Sequence, residues 1–551
     1  MKIKPVFVGI ALVGILLLVL SLSAVGKVLG AIPREVLAGV KTQPLAVKFL
    51  PHRSPLFLSF LVNPEKLGLF TQLAAPPSDR GDVRHELANL KQQLRQNWLL
   101  DYERDIQPWL DQEITLAVTD VDLDAQSANG LQTGYLLAFA VKDADLAKTS
   151  IDAFWQRLAV NGSDLGFEQY QGISILSTSF VDDKPAIAGT TLDKFVLFAN
   201  DARVLHKAID AIQKPELALS SLPNYRDRLA QLSTGKNTGK VSVAYVNLAE
   251  FGEELPKESL LMGLSFDKSG IKVKTALNLA TDNEKSEAAI DLPATKLKTS
   301  KKSSANIANT IPSGSSVIIG NNLSQTWQDL QYKLIPEWKQ ALLKSIAPIP
   351  LDGNSLAWAQ HDYAIALIPK PNSEPDWLVV AKVEDANGAR EAIASLDDMA
   401  RNKLTVGEIL LKAQPVTIWT KLSASDNFGV SGNVVAAHTQ TKDYVYLSNS
   451  LPVLESALTL KSSGSIAASK NFKTIVAKLP SDRFTYGYLD KNIDLSWLQT
   501  SILNLKVASG ISENISNSLL AQILEHVKVS GFASNSSDAI MQNGELSLIL
   551  K

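Results

Sequence analysis

Two serines precede a lysine by three positions, in Ser233-Thr234-Gly235-Lys236 and Ser265-Phe266-Asp267-Lys268. In some acyl-transfer enzymes this spacing sets a hydroxyl nucleophile beside an amine base. The companion motifs of those enzymes are missing here, and Ser233 falls in a polar turn that would hold a base loosely. The spacing is therefore read as coincidence. Asp120, Asp122 and Asp124 alternate along an extended segment that runs into Asn129-Gly130. Alternate residues of a strand share a face, so the three carboxylates repel one another and a hard cation such as calcium would relieve them. An EF-hand loop is excluded, because Ala125 stands where the turn glycine belongs and Leu131 where the bidentate glutamate belongs. The plainer reading is an acidic hairpin tip that keeps a strand end soluble. Whether the triplet binds a cation stays open.

The six histidines (His52, His85, His206, His361, His438 and His526) include no pair at helical spacing, so none forms a local metal pair. No phosphate-cradling glycine loop, dinucleotide fingerprint, zinc-protease motif or nucleophile elbow occurs. With no cysteine in the chain, thiol catalysis, disulfides and thiolate metal sites are excluded. No catalytic, cofactor-binding or metal-ligating residue is assigned, and no cofactor is expected. Lys and Arg number 54 against 56 Asp and Glu, and no basic helix is interleaved with aromatics, which argues against a nucleic-acid partner.

The elements that would position any site are written twice. Tyr135–Ala144 (YLLAFAVKDA) matches Trp377–Ala386 (WLVVAKVEDA), and Phe195–Asn200 matches Tyr444–Asn449. Asn224–Leu232 matches Asn471–Leu479, and Val243–Val246 matches Tyr486–Leu489. Four matches in the same order at nearly constant spacing indicate an internal duplication. Pro51 pairs less securely with Pro312, and Trp109 with Trp358.

Each copy reads as strand, helix, strand, strand, helix, strand, the order of a ferredoxin-like split βαβ unit with flanking strands. The expected fold class is α+β: two tandem copies of a mostly antiparallel sheet with helices on one side. Residues 44–292 form the first copy and 305–551 the second, joined by a polar linker at 293–304. Ala75–Asn97 is an addition peculiar to copy one, and Trp497–His526 to copy two. Both read as helical, and both are natural places for a partner contact through residues such as Arg80, Arg84 and Lys91.

Ahead of both copies, Pro5–Gly26 is uncharged and rich in Leu, Val and Ile. As a helix it would span about 33 Å, enough to cross a bilayer core once. Residues 1–27 are read as a transmembrane signal-anchor and 28–43 as a short linker. Ala24-Val25-Gly26 leaves cleavage open. Basic residues flank the run almost evenly (Lys2 and Lys4 before it; Lys27, Arg34 and Lys41 after it), so charge does not fix the orientation. A short basic segment ahead of a long soluble body, in a chain without cysteine, favours export, with a cytoplasm-facing body as the alternative.

The run Leu100–Leu110 (LDYERDIQPWL), with Glu113–Ala117, Asn129-Gly130, Gly134–Ala138, Phe154–Arg157 and Phe167–Gly172, resembles the bacterial family called domain of unknown function 3352. The likeness is to its cyanobacterial, signal-anchored members, and it extends over most of the chain from about Leu50. It implies a single-pass protein whose body lies in the periplasm or thylakoid lumen, and it carries no catalytic residue. The expected role is non-enzymatic: binding or scaffolding at that membrane face, with a membrane-protein partner. A carrier or sensor of an apolar ligand and a hydrolase with an unrecognised site are the alternatives. The anchor is tested by extraction. The full chain should stay in the membrane pellet through a carbonate wash, whereas a chain beginning at Thr42 should be soluble without detergent. Full-length protein in the wash contradicts the anchor.

Overall fold

The computed structural model describes residues 43–66, 88–126 (apart from 89, 90, 93 and 97), 130–178, 186–233, 240–251, 259–267, 270–278, 306–327, 355–370, 373, 375–424, 430–480, 483–490, 527–536 and 541–550. The Pro5–Gly26 run, the 293–304 linker and Trp497–His526 lie outside them, as does most of Ala75–Asn97. Among the described residues no helix is long and apolar enough to cross a membrane.

The strands of the first half are β1 (Leu56–Phe60), β2 (Leu110–Asp120), β3 (Gly134–Val141), β4 (Leu165–Tyr170), β5 (Ile173–Thr178), β6 (Ala188–Leu192), β7 (Phe195–Ala199), β8 (Ser242–Asn247), β9 (Ser259–Asp267) and β10 (Gly270–Asn278). Those of the second are β11 (Ser316–Gly320), β12 (Tyr363–Ile368), β13 (Asp376–Lys382), β14 (Thr405–Leu411), β15 (Gln414–Ala424), β16 (Val430–Gln440), β17 (Tyr444–Ser448), β18 (Thr485–Asp490), β19 (Val527–Ser536) and β20 (Met541–Leu550). The principal helices are α1 (Ala144–Val160), α2 (Ala202–Gln213), α3 (Pro223–Leu232), α4 (Ala386–Ala400), α5 (Leu451–Leu458) and α6 (Lys470–Val476).

Among the described residues every pairing is antiparallel, and the pairs link the 20 strands into one sheet. The first half runs β4-β5-β6-β7-β3-β2-β1-β8-β9-β10. The second half repeats that order as β14-β15-β16-β17-β13-β12-β11-β18-β19-β20. The halves meet where β10 pairs with β20. The fold is α+β with a mostly antiparallel sheet.

Small details recur between halves. Asn200 Oδ1 accepts from Tyr135 N at 2.7 Å, and Asn449 Oδ1 accepts from Trp377 N at 2.8 Å. Pro51 bridges Ala218, and Pro312 bridges Ser465. Asp143 caps α1 by accepting from Leu146 N, and Asp385 caps α4 by accepting from Asn387 N and Gly388 N, which satisfies amides the first helical turn leaves open.

Two expectations are corrected. Helices cover both faces of the sheet, not one. Leu136, Ala138 and Ala140 pack with α2 residues Val204, Leu205, Ala208 and Ile209, whereas Leu137 and Phe139 pack on the other face with α1 residues Ile151, Phe154 and Leu158. β3 is buried on both sides, so each side needs its own cover. The closing strand also departs from the ferredoxin-like order. β8 pairs with β1 and β9 rather than with β3, because β2 has taken that edge of β3. The sequence pattern predicts strands at Leu56–Val62, Ile114–Thr119, Tyr135–Val141, Gly172–Thr178, Phe195–Ala199 and Val241–Leu248, and the first half adds β4, β6, β9 and β10 to them.

The Leu100–Leu110 run is a fold device. Asp101 caps a single π-helical turn, Tyr102–Ile106, by accepting from Arg104 N. Asp105, 1% exposed, accepts from Asp101 N at 2.8 Å, Arg104 Nε at 3.0 Å and Arg157 Nη2 of α1 at 2.7 Å. The indole of Trp109 donates to the Asp105 carbonyl at 2.7 Å. Asp105 thus ties this turn to the helix above β3. Asp105→Ala should lower the unfolding free energy by about 3 kcal/mol, because it strands Arg157 and a backbone amide. Arg104→Ala, at an exposed side chain, should cost under about 1 kcal/mol. Urea midpoints for the two variants test the contrast, and equal losses would contradict it.

Candidate functional site

A buried polar cluster lies where α3 packs on β9 and β10. Pro223 opens α3 at its first turn, where a missing N–H costs nothing, and Ser233 closes it. Ser233 Oγ donates to Leu229 O at 2.9 Å and accepts from Lys240 Nζ at 2.8 Å. Lys240 is 5% exposed. Its stem lies over Gly263 of β9, where a Cβ would come within 3.2 Å of Lys240 Cδ, so the absence of a side chain there makes room for it. Burial lowers the Lys240 ammonium to about 8, and the nearby charge of Lys274 adds to the effect. On β10, burial lowers Lys274 as well, with Glu545 opposing and Lys272 reinforcing the shift. Lys272 Nζ lies 2.6 Å from Glu545 Oε1 across the β10–β20 ladder.

A hydroxyl 2.8 Å from an amine of lowered pKa has the parts of a nucleophile and its base. Two observations favour a structural role. The Ser233 proton is directed at Leu229 O, so Lys240 is the donor in this contact. In the second half Arg483 stands two residues before β18, as Lys240 stands two before β8. Arg483 Nη1 donates to Pro480 O at 2.7 Å, beyond the end of α6, while its guanidinium covers the Tyr486 ring. Both cations therefore close helix C-termini, where exposed carbonyls and the helix dipole favour positive charge. Of the spacing singled out in sequence, Ser233 meets Lys240, and Lys236 lies outside the described residues. Ser265 donates weakly to Lys272 O at 3.4 Å, and Lys268 also lies outside them.

The acidic triplet is split among separate donors. Asp120 accepts from Lys207 of α2 at 2.5 Å, Asp122 from Gln132 N at 3.1 Å and Asp124 from Gln126 N at 3.0 Å. Among the described residues no group of three or more His, Cys, Asp or Glu is arranged to hold a metal ion.

Each described histidine has its own partner. His52 meets Ser221 Oγ at 3.2 Å, and His361 meets Glu384 at 3.2 Å. His206 meets Glu168 at 2.6 Å and stacks on Tyr170 at 4.0 Å, which ties the edge strand β4 to α2. His85 and His526 lie outside the described residues. Sequence reasoning missed the pair His438–Asp397. The two are 41 positions apart, and Asp397 Oδ1 accepts from His438 Nε2 at 2.8 Å and from the Trp419 indole at 2.7 Å. Burial opposes ionisation of Asp397, but those hydrogen bonds and the charge of Arg401 outweigh it and lower its pKa. Trp109 is fully buried and Trp98 half-buried, and Trp338 lies outside the described residues.

A family profile described as "Protein of unknown function (DUF3352)" matches residues 10–550. No curated protein matches the chain. A solved structure titled "Structure of crystal form I of TP0453" aligns with a TM-score of 0.21 and 10% identity, covering 45% of this chain and 81% of that one.

The buried amine makes a pH-dependent expectation. The unfolded chain keeps the Lys240 proton up to about pH 10.4, whereas the folded chain releases it from about 8. Between these values the unfolded state binds more protons, so this group makes stability rise with pH. Measured against Lys240→Met, the native protein should gain stability from about pH 7.5 to about pH 10.5. A difference that is flat across that window contradicts the buried amine.

Proposed function

The chain belongs to the DUF3352 family, and from that premise we propose that it is a non-catalytic binding or assembly protein, held at a membrane by its N-terminal run. In this reading its body lies in the periplasm or thylakoid lumen of a cyanobacterium and contacts a membrane-protein partner. Neither a cofactor nor nucleic acid takes part.

One observation carries the reading: among the described residues, β15 and β16 of the second half form a longer ribbon than β5 and β6 of the first, and it bears exposed apolar side chains. β15 and β16 are 11 residues each, against 6 and 5 for β5 and β6. Leu422 and Val430 near the ribbon's far end are 54% and 73% exposed. Leu422 sits opposite Gly432, which offers it no cross-strand cover. Large apolar side chains held in water on a two-stranded ribbon suit protein contact. Of the contact residues expected from sequence, Arg80 and Arg84 lie outside the described residues, and Lys91 is engaged with Glu103 at 2.7 Å.

Hydrolysis through Ser233 is the competing reading, and the 2.8 Å contact with Lys240 speaks for it. The direction of the Ser233 proton and the matching place of Arg483 speak against it.

Photo-crosslinking from position 421, followed by recovery from native membranes, tests the proposal. Leu422→Glu with Val430→Glu should reduce the crosslinked partner about tenfold, the equivalent of 1.4 kcal/mol of binding, while leaving the melting temperature unchanged. Undiminished recovery overturns the ribbon as the contact. A hydrolytic turnover abolished by Ser233→Ala overturns the non-catalytic reading.

A further inference from the structure

The halves are joined very differently from the way each is built. Among the described residues, β10–β20 is the only ladder between them, and every described apolar cluster lies within a single half. The register shows what kind of joint this is. Gly263 pairs with Lys274 in the first half as Ala533 pairs with Glu545 in the second, so Lys274 and Glu545 are equivalent positions. They are also paired with each other across the joint. The joint is thus an approximate two-fold axis passing between these two residues.

On the face toward α3 and α6, the floor at this axis is polar and small-sided. Lys272 and Lys274 stand on β10, Glu545 and Ser547 on β20, Gly263 and Ser265 on β9, and Gly531 on β19. Glu545 and Ser547 are 8% and 3% exposed. The Lys272–Glu545 contact spans the joint, and Lys240 approaches from the α3 side. From the α6 side the joint is faced by apolar Ile475, which lies over Gly531.

We propose that this joint is a latch closed by charge, with Glu545 set against Lys272 and Lys274, and that it opens as a unit before either half unfolds. Opening it breaks one ladder, whose backbone groups water can satisfy, one charge cluster and, on the opposite face, the Val273–Leu546 pair, while it divides none of the described apolar clusters. Opening a central ladder such as β2–β3 or β3–β7 would instead divide an apolar cluster. The open form presents β10 and β20 as free strand edges.

Hydrogen exchange on the full chain in detergent tests the latch. Glu545→Lys should speed exchange of β10 and β20 amides at least about tenfold, the scale of losing one partner of a half-buried ion pair. Amides of β2, β3, β12 and β13 should keep their native rates. Lys272→Glu combined with Glu545→Lys should restore slow exchange at the joint. Unchanged exchange in Glu545→Lys, acceleration spread evenly over all strands, or failure of the combined variant to restore protection would each overturn the proposal. If Glu545→Lys does not fold, Glu545→Gln is read in the same way.

Discussion

The architecture rests on two strands that have no wet side. β3 is buried along nearly its whole length, and in the second half Leu378 and Val380 of β13 enter one apolar cluster while Trp377 and Val379 enter others. A strand with apolar residues on both faces must be covered twice. The chain supplies that cover in order: the helix after the strand takes one face, and the helices further on take the other. The buried carboxylate of Asp105 and the π-helical turn around it serve the same end, since they seat the segment before β2 against α1.

That arrangement was partly legible. The apolar runs at Tyr135–Val141 and Phe195–Ala199, the Asp143 and Asp385 caps and the duplicated order all follow from local pattern. The second covered face was legible too, because a strand without alternation is buried on both sides, yet the sheet was expected to carry helices on one. β4 was harder to read. Its sequence, Leu165–Tyr170, mixes Gly, Glu and Gln with aromatics, as an edge strand half in water does. β9 and β10 hide their pattern behind the lysines and serines of the joint. At the candidate site, sequence spacing could find Ser233 but not Lys240, because the approach of Lys240 depends on the missing side chain at Gly263, a residue brought near only by β-pairing. His438 and Asp397 come together through the packing of α4 on β16, which no local spacing records.

The halves keep the same frame while solving it with different chemistry. In the first half the Trp155 ring of α1 lies against β6 at Gly189, where a Cβ would come within 2.8 Å of it. In the second half Asp397 occupies the corresponding turn of α4 and His438 the corresponding place on β16, with the indole arriving from Trp419 on β15. A tryptophan fills the space in both, but in one it comes from the helix onto bare backbone and in the other from the strand onto a hydrogen-bonded acid. The edge ties diverge likewise: His206 to Glu168 in one half, and Lys412 to Glu455 at 3.2 Å in the other.

The approximate axis between Lys274 and Glu545 has an implication for inheritance. In an assembly of two identical chains, a residue on the two-fold faces its own copy, and any change to it is made on both sides at once. A lysine there would meet a lysine. Once the two units are encoded in one chain, each side of the axis drifts alone, and a cation can come to face an anion. The pairing of unlike charges at equivalent positions is a state that a symmetric ancestor could not reach by substitution and that a fused descendant can. The same release from symmetry lets one half grow a ribbon, or trade a helix tryptophan for an acid, without the other having to follow.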